Sequence, residues 1–206
     1  MDESLRALAG DARFAKLIAK YEKPTLSKDG NVFDSFIRSI VYQQLSGKAA
    51  STILGRFLAL FNKVGSKKLK FPKPQQVLAI STDEMRVAGL SNQKALYLKD
   101  LALKFSDGTI KYKSLARMES DKIIEHLIQV KGVGVWTVQM FLIFTLGRLD
   151  VLPTGDLGIR KGMKMLYKLN ELPNAKKMEA LAKSWQAHAS VASWYLWKLA
   201  DEGKKK

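Results

Sequence analysis

Apolar residues recur at helical spacing through most of the chain. Residues 11–20 place Phe14, Leu17 and Ile18 on one face. Residues 32–45 do the same with Phe33, Phe36, Ile37, Ile40 and Val41, and residues 48–62 with Ile53, Leu54, Phe57, Leu58 and Phe61. These i, i+3, i+4 stripes mark helices with one buried face. Further helices are predicted over 93–105, 121–128, 135–146, 157–169, 176–186 and 190–201. Strand-like alternation is scarce, and no repeat stands out. Turn signals fall at Lys28–Asn31, Phe71–Pro74 and Ser106–Gly108. The pattern predicts an all-α protein of short helices. Trp185, Trp194, Tyr195 and Trp197 read as core residues gluing one helix to its neighbours. His126 reads as an exposed helix residue, because no carboxylate pairs with either histidine at metal spacing.

Composition narrows the partners. Of 206 residues, 47% are hydrophobic, enough for a core and too many for disorder. Thirty-five Lys and Arg against 19 Asp and Glu give a net charge of +16, more than solubility requires, which points to a polyanion. The chain has no cysteine, so disulfides, thiolate zinc sites, iron–sulfur clusters and cysteine nucleophiles are excluded. No run reaches the roughly eighteen apolar residues of a membrane span, and the first residues lack the pattern of a signal peptide. The expected location is intracellular: the nucleus in a eukaryote, otherwise the cytoplasm. The tail Gly203–Lys206 reads as a frayed end, with a nuclear address only weakly signalled.

Candidate chemistry concentrates between Ile128 and Lys161. A helix ending near Ile128, with Ser120 as its expected N-cap, leads into Lys131-Gly132-Val133-Gly134, and a second helix begins near Val135. Glycines in such a turn permit positive φ and close approach of a ligand. Backbone N–H groups at the start of the second helix can hold a phosphate oxygen, and Thr137 could add a hydroxyl. A dinucleotide fold would want a strand before the glycines and a third glycine where Thr137 stands. A plain helix–helix loop with glycine caps remains the simpler reading of the glycines alone. Downstream, Asp156 sits in Leu152-Pro153-Thr154-Gly155-Asp156, after a turn and before a helix. An N-cap is the commonest role for such an aspartate, and it is compatible with a catalytic one.

Taken together, these segments resemble the helix-hairpin-helix DNA glycosylases with a Gly/Pro-rich turn and an aspartate, and most of all their alkylpurine (3-methyladenine type II) branch. VKGVGVWTV is similar to the hairpin and DVLPTGDLGIRKG to the catalytic turn. IRSIVYQQLSGKAA is similar to the DNA-wedging segment, AGLSNQKA to a second minor-groove loop, and VASWYLWK to the C-terminal helix. The segments follow the family's order over roughly residues 30–200.

The resemblance implies one glycosylase-type unit, residues 1–206, of two helical lobes flanking a DNA-binding cleft. Lobe one would be 1–40 plus 150–206, and lobe two, with the hairpin, 41–149. Asp156 takes the catalytic position. Gln44 takes the place that plugs the gap left by a flipped nucleotide, with Ser46 and Lys48 beside it and Leu90 and Ser91 wedging from the other side. Lys131, Gly132, Gly134, Trp136 and Thr137 would hold the backbone. Trp136, Met140, Leu157 and His188 would line the base pocket. No cofactor is implied as required, although family hairpins often hold a monovalent cation on carbonyls that here belong to Ile128, Val130 and Val133. The implied partner is duplex DNA with damaged or abasic sites, bound by a monomer.

The implied reaction is hydrolysis of the N-glycosidic bond of alkylated purines. Bifunctional relatives carry a strand-cleaving lysine where this chain has Trp136, so a monofunctional enzyme is expected. The sequence departs from the family after Trp185. A proline, a stacking aromatic and an arginine are replaced by Ala187, His188 and Ala189. That departure motivates an alternative: a weakly catalytic or non-catalytic binder of abasic or damaged DNA.

Overall fold

The computed structural model describes residues 1–26, 30–66 and 69–203. Lys28 and Asp29 of the first expected turn, and the terminal lysines 204–206, lie outside them. The described residues form α-helices joined by short loops and two 3₁₀ turns, with no strand. The chain groups into two compact units, Met1–Lys28 with Leu142–Lys206, and Asp29–Phe141. The expected lobes divide after residues 40 and 149. The observed grouping instead assigns the whole helix Val32–Tyr42 to the second unit.

In the first unit, α1 (Asp2–Ala9) and α2 (Ala12–Lys20) precede the second unit in sequence. The apolar core gathers around a C-terminal helix, Ala189–Glu202. Its Val191, Ala192, Tyr195 and Leu196 are fully buried with Phe14, Ile159, Met163 and Met178. Phe14 meets Trp185 edge-on at 5.4 Å, and the Trp185 indole donates to the Tyr167 hydroxyl at 2.9 Å. The helix Leu157–Leu166 lies very close to the C-terminal helix. A Cβ at Gly162 would stand 2.3 Å from the Leu196 carbonyl oxygen.

The second unit contains α3 (Val32–Tyr42), α4 (Gly47–Ala59), α5 (Pro74–Ala79), α6 (Thr82–Val87), α7 (Asn92–Ser106) and α8 (Ser120–Leu127). Helix α7 is central and packs on α3, α5 and α6. It buries Ala95, Leu98, Leu101, Ala102 and Phe105. Its lysines also seal neighbouring helix ends, where the last carbonyls lack intrahelical partners. Lys99 donates to the carbonyls of Leu78 (2.7 Å) and Ile80 at the end of α5. Helix α9 (Val135–Phe144) carries the chain across the boundary at 141/142. The first unit then continues with α10 (Leu157–Leu166), α11 (Ala175–Ala182) and α12 (Ala189–Glu202).

The predicted helices all appear, with shorter ends where the backbone turns. Helix α3 stops at Tyr42 because Gln43 leaves the helical conformation at ψ 130° and Gln44 follows with a left-handed φ of 57°, and α10 stops before Lys168 at φ 52°. Helix α8 begins one residue earlier than expected. Ser120 is its first helical residue rather than its cap, and Glu119 stands at the N-cap without a capping side-chain bond. The short α1, α5 and α6 were not anticipated. His126 is half-buried and structural: its Nε2 accepts the Lys111 N–H at 2.9 Å.

The tight contact of α10 with α12 yields a first prediction. Gly162→Ala should cost about 1–3 kcal/mol through overpacking, lowering Tm by several degrees in thermal denaturation. Gly55→Ala is the control. It lies mid-helix with nothing within 4 Å of an added Cβ, and should gain about 0.5–1 kcal/mol.

Candidate functional site

The second unit brings two turns together. The first, Gln43–Leu45, links α3 to α4. Gln44 is exposed and holds the left-handed backbone that a non-glycine residue adopts at a cost of about 1–2 kcal/mol. Ser46 caps α4, accepting the Ala49 N–H, and Lys48 is exposed in that helix's first turn. The second turn is the hairpin between α8 and α9. Its two glycines differ. Gly132 has φ 78°, and a Cβ there would stand 2.1 Å from the Tyr97 ring. Gly134 has no positive φ, faces open space and is exposed. The expectation of positive φ therefore holds for Gly132 alone, while Gly134 keeps the approach to the start of α9 clear.

Side chains of α7 and Gln43 connect the two turns. Lys94, half-buried, donates from its ammonium to the carbonyls of Val41 (2.8 Å) and Gln43 (2.7 Å). Burial pulls the Lys94 ammonium below the usual lysine range. The Gln43 amide donates to the Gly132 carbonyl at 2.7 Å. Asp100 accepts the Lys131 backbone N–H at 2.8 Å and pairs with Lys104 at 2.6 Å.

A pocket of about 460 Å³ opens in the same unit, lined by Arg38, Ser39, Tyr42, Gln43, Gln44, Trp136, Thr137 and Met140. Trp136 is half exposed, Thr137 is buried and Met140 is half-buried. Thus Gln44, Trp136, Thr137 and Met140, named from sequence, share one concave surface. Leu90 is 4% exposed and packs inside the unit. Ser91 is exposed and caps α7 through Lys94 N–H. Lys131 is exposed beside the hairpin, as is Ile128, whereas Val130 and Val133 are buried and joined by a 3.0 Å turn hydrogen bond.

In the first unit, Asp156 ends a turn closed by its N–H on the Pro153 carbonyl at 3.0 Å. It caps α10: Oδ1 accepts the Ile159 N–H at 2.9 Å. The same oxygen accepts the Trp197 indole N–H from α12, also at 2.9 Å. Gly158 permits that approach, since a Cβ there would lie 2.8 Å from the indole Cδ1. Phe144 stacks on Trp197 at 5.9 Å, and Leu157 is half exposed beside the aspartate. The carboxylate is thus set in an aromatic and aliphatic surround by two donors. His188 is half-buried, with Nδ1 3.1 Å from the hydroxyl of buried Ser4.

Sequence reasoning missed Trp197 as a partner of Asp156, and Gln43, Lys94, Tyr97 and Asp100 as supports of the turns. Lys94, Tyr97 and Asp100 stand at i, i+3, i+6 on α7, a spacing that places them along one side of the helix but names none of their partners. Among the described residues no group of His, Asp or Glu could hold a metal ion. No helix among them is long and apolar enough to cross a membrane.

The model of the HhH-GPD superfamily of base excision DNA repair proteins matches residues 37–187, and the chain belongs to that superfamily. It is 35% identical over 196 residues to DNA-3-methyladenine glycosylase 1 of Schizosaccharomyces pombe, covering 93% of this chain and 84% of that protein. Among solved structures, the 3-methyladenine DNA glycosylase Mag1 of S. pombe, in complex with abasic DNA, is 33% identical. It superposes with a TM-score of 0.78, covering 95% of both chains. The DNA-3-methyladenine glycosidase of Bacillus halodurans is 37% identical with a TM-score of 0.83, covering 97% of this chain and 89% of that one.

The two hairpin glycines should respond differently. Gly132→Ala meets both the left-handed φ and the Tyr97 ring, and should cost about 1–3 kcal/mol in denaturant unfolding. Gly134→Ala should change stability by less than about 0.5 kcal/mol. Equal losses at the two positions would contradict the geometry.

Proposed function

We propose that the chain is a monomeric, monofunctional DNA glycosylase that hydrolyses the N-glycosidic bond of alkylated purines in duplex DNA. The observation that carries this reading is Asp156, a carboxylate oriented by two donors in a partly apolar surround, in a chain of this superfamily. An alkylated purine is cationic and already a good leaving group. As the C1′–N bond breaks, its electron pair stays with the base and the sugar becomes oxocarbenium-like. The Asp156 carboxylate stabilises that charge or orients the water that adds to C1′, whose proton is then released. A second carboxylate acting as general acid is unnecessary for a cationic base.

The remaining residues serve binding. Exposed Gly134 and the start of α9 offer backbone N–H groups to a phosphate, with Lys131 and Lys48 adding charge. Gln44 fills the gap left by the extruded nucleotide, and Ser46 and Ser91 face the groove. Leu90, expected to wedge beside Ser91, is buried within its unit and is left out of this role. Trp136 and Met140, which share a pocket with Gln44, contact the base. The carbonyls of Ile128, Val130 and Val133 would be the uncharged oxygen donors of a monovalent cation at the hairpin, that of Val130 while also accepting the Val133 N–H. When bound there, it would supply positive charge toward the phosphate.

One observation favours weak turnover. His188 replaces a stacking aromatic and is tied to Ser4, and stacking is worth about 1–3 kcal/mol per base. On that second reading the protein chiefly binds abasic or damaged sites.

Asp156→Asn should reduce base release from methylated duplex DNA by a factor of about 10²–10³ while leaving DNA affinity close to wild type. Release by wild type no greater than background, or equal to that of the variant, would establish the binder. In the same assay the backbone should stay intact after base loss. Borohydride should trap no protein–DNA adduct, since Trp136 offers no amine; a trapped adduct would overturn the monofunctional assignment.

A further inference from the structure

We infer that Gln43, backed by Lys94, is a positioning residue that couples the turn bearing Gln44 to the hairpin, so that the gap-filling and phosphate-holding elements form one braced assembly. The inference deepens the glycosylase reading and rests on it for the role of Gln44.

Gln44 holds a left-handed backbone that the chain would abandon if nothing opposed it. Three side-chain hydrogen bonds restrain its surroundings. Two come from the Lys94 ammonium, which grips the carbonyls of Val41 and Gln43 on the approach to Gln44. The third, from the Gln43 amide, ends on the carbonyl of Gly132. Gly132 is itself immobilised, because its Cα faces the Tyr97 ring and the preceding peptide N–H is held by Asp100. Lys94, Tyr97 and Asp100 are on one rigid helix, α7. Displacing either turn therefore breaks a bond to the other or to α7. A wedge entering a duplex meets a load, and a turn braced this way transmits it to the hairpin and to α7 rather than yielding.

The test has two arms. In the free protein, hydrogen exchange is followed by mass spectrometry in wild type, Gln43→Met, which keeps the stem and removes the amide, and Gln43→Glu, which turns an acceptor toward the Gly132 carbonyl. Exchange should quicken about tenfold, the worth of one ordinary hydrogen bond, over both residues 42–46 and 131–134, and stay unchanged in α12. A hairpin that keeps its wild-type exchange would overturn the coupling. So would a uniform rise that includes α12, which would make Gln43 a packing residue only.

In the second arm, affinity is measured for duplexes with and without a stable abasic-site analogue. Gln43→Met should lower the ratio of the two affinities about tenfold, and adding it to Gln44→Ala should lower the ratio no further. Independent, additive losses would overturn action through Gln44. A wild-type protein with no preference for the abasic duplex would remove Gln44 from the gap-filling role, while the exchange arm would still decide whether the turns are coupled.

Discussion

The hairpin can lie where it does only because residue 132 has no side chain. A Cβ there would stand 2.1 Å from the Tyr97 ring, so only a bare Cα fits against it. That approach brings the Lys131 N–H to Asp100 and the Gly132 carbonyl to Gln43. The second turn inherits its position from the same place. The left-handed conformation of Gln44 costs about 1–2 kcal/mol, and the bonds made by Lys94 and Gln43 are charge-assisted or well shielded enough to offset it. One glycine and one helix, α7, thus fix the local geometry of both elements assigned to DNA.

The first unit uses the same device for its carboxylate. Gly158 and Gly162, one helical turn apart, let α10 approach α12 so closely that the Trp197 indole reaches Asp156. The indole is also stacked on Phe144, so a packing residue doubles as a hydrogen-bond donor. The aspartate is at once a helix cap and a candidate catalytic group. The capping bond does not compete with the second role; it sets the plane of the carboxylate.

Much of this was legible in the sequence, and what was not has definite physical causes. Apolar stripes such as Phe33, Phe36, Ile37 and Ile40 locate a helix because burial imposes its period on side chains. Helix ends were misplaced where one backbone angle decides them, as at Gln44, whose side chain carries no sign of a left-handed turn. The hairpin and the aspartate could be found from residue types, but Gly132 and Gly134 look alike in sequence and differ in structure. The braces were invisible for a different reason. Lys94 and Gln43 donate to carbonyls, and every residue has a carbonyl, so the acceptors leave no mark. Trp197 was read as core glue, which it is, and its bond to a residue 41 positions earlier in sequence could only emerge from the packing of α10 on α12.

The same distinction bears on the charge. A net +16 overstates the surface available to a polyanion, because two of the cations are committed within the protein. Lys94 and Lys99 direct their ammonium groups at backbone carbonyls. The exposed remainder, Lys48 and Lys131 among it, supplies a diffuse attraction that salt screens and that does not distinguish one stretch of duplex from another. Backbone N–H groups beside an open glycine act differently. They are fixed in direction and ask for a phosphate at one place. On the glycosylase reading, charge then governs how strongly the protein meets DNA at all. Selection of a damaged site falls to the geometry of two turns, both tied to α7 through Lys94 and Asp100.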